Sequence, residues 1–219
     1  MKSSLVFLGC GQPAIRAVAS AWARAPRDLS HDDLRALVDL RMTSEVYEHR
    51  SVAIGILAKL ERLVVRGDLG WLAELCRRTA MWAHVDWIAS EVVSAHMGRS
   101  PASLPILRAW ATDPSFWVRR LAILAQLRQL RVGEGDHALF EEISVPMLVE
   151  KEFFIRKAIG WALRELGKVR PDVVRAYVEA HGDRMSGLTR REATRHLPDE
   201  TRARSPSPTR PKRGPRARG

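Results

Sequence analysis

The motif Arg-x-x-Ala recurs along the chain at a spacing that a stack of repeats explains. It occurs at Arg16/Ala19, Arg50/Ala53, Arg119/Ala122 and Arg190/Ala193, and Trp87 and Ala158 occupy equivalent slots between them. The marked positions 19, 53, 87, 122, 158 and 193 are separated by 34, 34, 35, 36 and 35 residues. Between them apolar residues recur three and four apart, and the alternation of a strand is absent. Each period therefore holds about two helices. Helices are predicted over 13–25, 31–41, 45–65, 69–79, 81–97, 102–112, 115–131, 136–147, 150–168, 171–181 and 187–196. Local signals agree: Ser30 precedes a first turn rich in acid, Asp113-Pro114 ends one helix, and Pro171 opens another. Such a pattern is the signature of an all-α solenoid, in which antiparallel helix pairs stack and their small mutual rotation makes a concave face. Its period is a little shorter than the ~40 residues of a typical HEAT unit.

Composition limits the function classes. Hydrophobic residues at 46% and charged residues at 28% are those of a chain with one packed core, and no apolar run reaches the ~18 residues of a membrane span. The apolar run at the start, Leu5 to Leu8, is shorter than an export signal requires, so the protein is expected in the cytoplasm. Cys10 and Cys76 belong to no metal-ligand cluster, and each is expected to be a small buried hydrophobe. No glycine-rich phosphate loop occurs, and neither a cofactor nor a metal is expected. The net charge of +11 implies a polyanionic partner. Residues 199–219 carry seven basic and two acidic residues with four prolines and no large apolar side chain. They are expected to be a disordered basic tail beside a folded domain over 1–198, which is itself basic. Only six of the 36 cations are lysine, and arginine grips phosphate bidentately.

Seven tryptophans are many for this length, and most are expected in the core. In MWAHVDWIAS (81–90), Trp82 and Asp86 lie four apart and share a helix face, while Trp87 belongs to the packing face with Val85, Ile88 and Val92. A surface acid beside a half-buried indole is the plain structural alternative. His84 is expected to be a half-exposed helix residue. FWVRRLAILAQL (116–127) opens with Arg119 and Arg120, and KEFFIRKAIGWALREL (151–166) is amphipathic and carries Arg156, Lys157, Trp161 and Arg164. Equivalent helices of stacked repeats lie side by side, so Trp82, Asp86, Arg120 and Trp161 are expected on one concave wall. Basic side chains on that wall would suit a duplex.

At these residues the sequence resembles the AlkD-type DNA alkylation repair glycosylases, which are solenoids of HEAT-like repeats. The resemblance runs through FLGCGQPAIR (7–16), MWAHVDWIAS (81–90), SFWVRRLAILAQL (115–127) and KEFFIRKAIGWALRELGK followed by LTRREATRHL (151–197). It implies that Asp86, Trp82 and Trp161 form the active site, that Arg120 stands near the acid, and that Arg164 holds a phosphate. Arg119, Arg120, Arg156, Lys157 and Arg164 are the candidate DNA contacts. The implied reaction is excision of cationic purines alkylated at N3 or N7 from duplex DNA by a monomer. Two departures from the family pattern stand out. Relatives carry further residues ahead of the FLG segment, including an aromatic that faces the DNA, and position 81 is Met where many relatives have a second tryptophan.

Two other classes compete. A non-catalytic DNA-binding solenoid would keep the basic wall without the Trp-Asp-Trp set, which is intact here. A protein-interaction scaffold, the commonest use of such repeats, would need an acidic partner to match this charge.

Overall fold

A computed structural model of the chain describes residues 4–25 and 28–197; the 199–219 segment expected to be disordered lies outside the described residues. The described residues are helical, with no strand among them beyond an isolated bridge between Val6 and Val46. The helices form two layers. The inner layer holds α1 (Gln12–Arg24), α3 (Tyr47–Lys59), α5 (Trp82–Trp87) with its continuation α6 (Ser94–Arg99), α8 (Phe116–Leu124) with α9 (Leu127–Val132), α11 (Phe153–Gly167) and α13 (Gly187–Thr194). The outer layer holds α2 (His31–Met42), α4 (Leu69–Thr79), α7 (Ile106–Ala111), α10 (His137–Met147) and α12 (Pro171–His181). Along the inner layer α1 packs on α3, α3 on α5, α5 on α8, α8 on α11, and α11 on α13.

The repeat motif marks these inner contacts. Ala19, Ala53, Trp87, Ala122, Ala158 and Ala193 are all buried. A methyl there lets adjacent helices approach closely, and the one large residue in the series has a matching gap. Gly55 faces both Ala19 and Trp87, and a Cβ at position 55 would stand 2.7 Å from the Ala19 methyl and 3.0 Å from the Trp87 ring. Trp110 and Trp117 are likewise core residues.

Helix boundaries follow the capping chemistry. The Ser30 hydroxyl accepts from the Asp33 N–H while the Asp33 carboxylate accepts from the Ser30 N–H, a complete capping box. Pro171 sits in the first turn of α12. Four expected helices are interrupted. The one predicted over 102–112 opens as a single turn, Pro101–Ser103, and resumes as α7 at Ile106. The one predicted over 45–65 ends at Lys59 and gives way to single turns at Glu61–Leu63 and Arg66–Asp68. The one over 115–131 divides at residues 125 and 126. The one over 81–97 widens into a π-helical segment, Ile88–Val93, between α5 and α6.

The N-terminal strand of chain ahead of α1 is pinned to α3. The Glu48 carboxylate accepts from the main-chain N–H groups of Leu8, Gly9 and Cys10 at 3.0–3.2 Å. These bonds hold the carboxyl below the usual range against the opposing effect of its burial. Gly9 takes φ +82°, a conformation that favours glycine, so that three successive N–H groups converge on one acid. Cys10, expected to be buried, is exposed in this turn; Cys76 is buried as expected.

Candidate active site and nucleic-acid interface

The inner helices enclose a cleft built around Asp86. Trp82 and Asp86 stand one turn apart on α5, the indole 51% exposed and the carboxylate 14% exposed. From α8, Arg120 donates Nε–H to Asp86 Oδ1 at 2.6 Å and Nη2–H to Oδ2 at 2.8 Å, while its Nη1 donates to the Phe154 carbonyl. The pairing is bidentate and the guanidinium is only 3% exposed. Ser90 in the π-helical segment donates its hydroxyl to the Asp86 carbonyl at 2.7 Å, anchoring the main chain of the acid as well. Widened helical turns of this kind recur at functional sites.

Trp161 reaches the same cleft from α11, partly buried against the core. The cleft has two lobes that meet at Trp82, Asp86 and Trp161. The first, of 430 Å³, is completed by Arg120, Phe153, Phe154, Lys157 and Arg164. The second, of 570 Å³, takes in Gln12, Arg16, Tyr47 and Arg131. Arg164 pairs with Glu192 of α13, and the Lys157 ammonium lies 5.8 Å from the Phe153 ring.

Of the residues singled out in the sequence, Trp82, Asp86, Arg120, Lys157, Trp161 and Arg164 therefore come together. Arg119 and Arg156 do not. Arg119 is bound bidentately to Glu150 at 3.0 and 2.8 Å and to the carbonyls of Asp113 and Pro114, and Arg156 donates to the Glu150 carbonyl. The reason is helical geometry: each precedes a cleft residue by one position, which turns it about 100° away. Arg120 also differs from the expected phosphate contact, because its burial and its three engaged nitrogens leave it nothing to offer a backbone. It is a support for Asp86.

His84 is fully buried rather than half-exposed. Its ring nitrogens bond to the Ser51 hydroxyl at 2.9 Å and the Thr79 hydroxyl at 2.7 Å, which occupies both. Burial, aided by the nearby Arg50, pushes its pKa down to about 4. The ring stacks on Tyr47 at 4.9 Å, and Tyr47 stacks on Phe7 at 4.8 Å. His84 thus backs one wall of the second lobe without facing it. Tyr47, Gln12, Arg16 and Arg131 were missed in the sequence. Arg131 left a signal, since eleven residues from Arg120 is close to three whole turns of the helix expected over 115–131, and Arg16 stands in the sequence as part of the repeat motif.

Among the described residues no helix is long and apolar enough to cross a membrane. A protein-family model described as DNA alkylation repair enzyme matches residues 1–197. A solved structure titled as a predicted DNA alkylation repair enzyme from Enterococcus faecalis superposes with a TM-score of 0.71 at 22% identity, over 89% of either chain. AlkD2 from Streptococcus mutans superposes with a TM-score of 0.63 at 16% identity, over 90% of this chain and 95% of that one. No curated protein sequence matches. At these identities the two structures speak to the solenoid fold, while the sequence model covers every helix of it: the chain belongs to the DNA alkylation repair enzyme family.

Proposed function

We propose that the protein is a monofunctional DNA glycosylase, acting as a monomer, that hydrolyses the N-glycosidic bond of cationic purines alkylated at N3 or N7 in duplex DNA. The observation that carries this reading is Asp86 itself: a carboxylate clamped by Arg120, opening onto a cleft between two tryptophans. A purine that already bears positive charge leaves as a neutral base, so its departure requires no proton. The bond from C1′ to the base nitrogen breaks with its electron pair going to the base. Positive charge then develops on the sugar, and water adds at C1′ while its proton passes to Asp86 or to solvent. The task of the site is to stabilise that developing charge, which a fixed carboxylate does electrostatically. The first lobe agrees with this division of labour, because its lining holds cations and aromatics and no carboxylate besides Asp86. The faces of Trp82 and Trp161 hold the sugar and attract the cationic lesion, each such contact worth ~0.5–2 kcal/mol. An open cleft in place of an enclosing base pocket suits selection by bond lability.

The test is incubation with a duplex carrying a single N7-methylguanine, followed by alkali to cleave abasic sites. Strand scission at the lesion is the expected result. Tight duplex binding without scission would end the catalytic reading and leave a DNA-binding solenoid.

A further inference from the structure

We propose that the second lobe of the cleft is a backbone-phosphate subsite, in which Arg16 and Arg131 receive the phosphate on the far side of the target sugar from Arg164. A sugar set against Asp86 carries a phosphate on each side, and the two lobes share Trp82, Asp86 and Trp161 while the rest of their linings come from different helices. If one phosphate meets Lys157 and Arg164, the other falls over Arg16 and Arg131. This rests on duplex DNA being the ligand, though not on any chemistry being performed on it.

The two arginines are placed and exposed as such a subsite requires. Arg16 lies 4.4 Å above the ring of buried Trp87, which fixes its position, yet its side chain is 46% exposed. Its guanidinium is occupied by Glu91, at 2.7 and 3.3 Å, and that carboxylate is itself well exposed. Exposed pairs of this kind contribute little, and a phosphate presents the same bidentate acceptor to the guanidinium with more charge. Arg131 lies 5.9 Å from the Trp161 ring, is 42% exposed, and donates to Glu165 at 3.3 Å. Glu165 also holds Lys168 at 2.8 Å and has Arg164 at 3.8 Å. Three cations thus share one carboxylate, and Arg131 can turn to a phosphate while Glu165 stays compensated. Arg120 shows the opposite case, buried with every nitrogen engaged. Glu91 in this arrangement is a competitor that incoming phosphate displaces.

The measurement is equilibrium binding to an undamaged duplex and to one carrying a tetrahydrofuran abasic analogue, titrated between 50 and 200 mM salt. Arg16→Gln, Arg131→Gln and Glu91→Gln are compared with Arg108→Gln, whose arginine forms a similar exposed pair with Glu142 on the outer layer. Each lost phosphate contact lowers the slope of log K against log salt by ~0.9, so the advantage of wild type over Arg16→Gln or Arg131→Gln should shrink about threefold across that range. Glu91→Gln should bind more tightly than wild type with the slope kept. Affinities and slopes of Arg16→Gln and Arg131→Gln equal to those of Arg108→Gln would overturn the subsite. A wild-type protein that excises nothing, with both arginine variants still weakened, would instead refute the glycosylase reading and uphold the subsite.

Discussion

Asp86 and Arg120 are a pair whose two members should fail in different ways. Asp86→Asn keeps the shape of the side chain and removes its charge from the place where, in the proposed reaction, the sugar cation develops. A single preorganised electrostatic group of this kind supplies ~3–4 kcal/mol, so single-turnover excision of N7-methylguanine should fall by ~10²–10³. Duplex binding should barely change, because Asp86 touches no phosphate in the proposed complex. Arg120→Met should act on the fold instead. It leaves a carboxylate that is only 14% exposed without its partner and the Phe154 carbonyl without its donor, which by comparison with broken buried pairs costs ~3 kcal/mol. A urea midpoint measures the loss, and Arg120→Met combined with Asp86→Asn should lose less than the two single changes summed, since no uncompensated charge remains. The sequence carried half of this. The i, i+4 spacing puts Trp82 and Asp86 on one face whatever surrounds them, but whether an arginine meets a phosphate or a carboxylate depends on what lies 34 residues away, and no local pattern contains that.

Among the elements, α3, α4 and α5 are bolted together by one imidazole. His84 of α5 bonds Ser51 of α3 and Thr79 of α4, and it is neutral at physiological pH because its pKa lies near 4 rather than at the ordinary 6.5. The folded pKa is therefore below the unfolded one, so the unfolded chain takes up a proton first as pH falls. Stability from this site is complete above pH 6.5 and is lost between 6.5 and about 4, on the order of 3 kcal/mol in all. His31 acts in the opposite sense, since its hydrogen bonds to Asp68 and Asp32 raise its pKa and favour the folded state on acidification. The measurement is accordingly the difference in denaturation midpoint between wild type and His84→Gln across pH 4–7. It should narrow as pH falls, and a constant difference would show that His84 titrates alike in both states. Helix positions were legible because caps and apolar spacing are local: Ser30, Pro171 and the repeated alanines mark them. The π-helical turn after Trp87, the Glu48 clamp on the N-terminal segment and the burial of His84 were not, because each is settled by contact between helices.

Across the whole molecule, charge is arranged with the period of the repeat. Arg120 and Asp86, Arg108 and Glu142, and Arg131 and Glu165 are each 34 residues apart, Arg77 and Asp113 are 36 apart, and Arg35 and Asp68 are 33 apart. The solenoid thus uses many of its acids to tie one repeat to the next, and the +11 excess of the chain remains for an external polyanion. That architecture was readable from the sequence because the period is written in small residues at the inner contacts. Residues 199–219 add seven basic and two acidic residues to the sequence. Duplex binding should accordingly be led by phosphate neutralisation and weaken steeply between 50 and 200 mM salt. Removing residues 199–219 should lower both affinity and the salt slope. Single-turnover excision at saturating protein should stay at the wild-type rate, because the described lining of the Asp86 cleft comes from α1, α3, α5 with the π-helical segment that follows it, α8, α9 and α11. Binding isotherms at four salt concentrations and one saturating time course decide the matter. A truncated protein with an unchanged slope would assign the polyanion attraction to the solenoid, and one that binds fully yet excises slowly would place the tail in the chemistry.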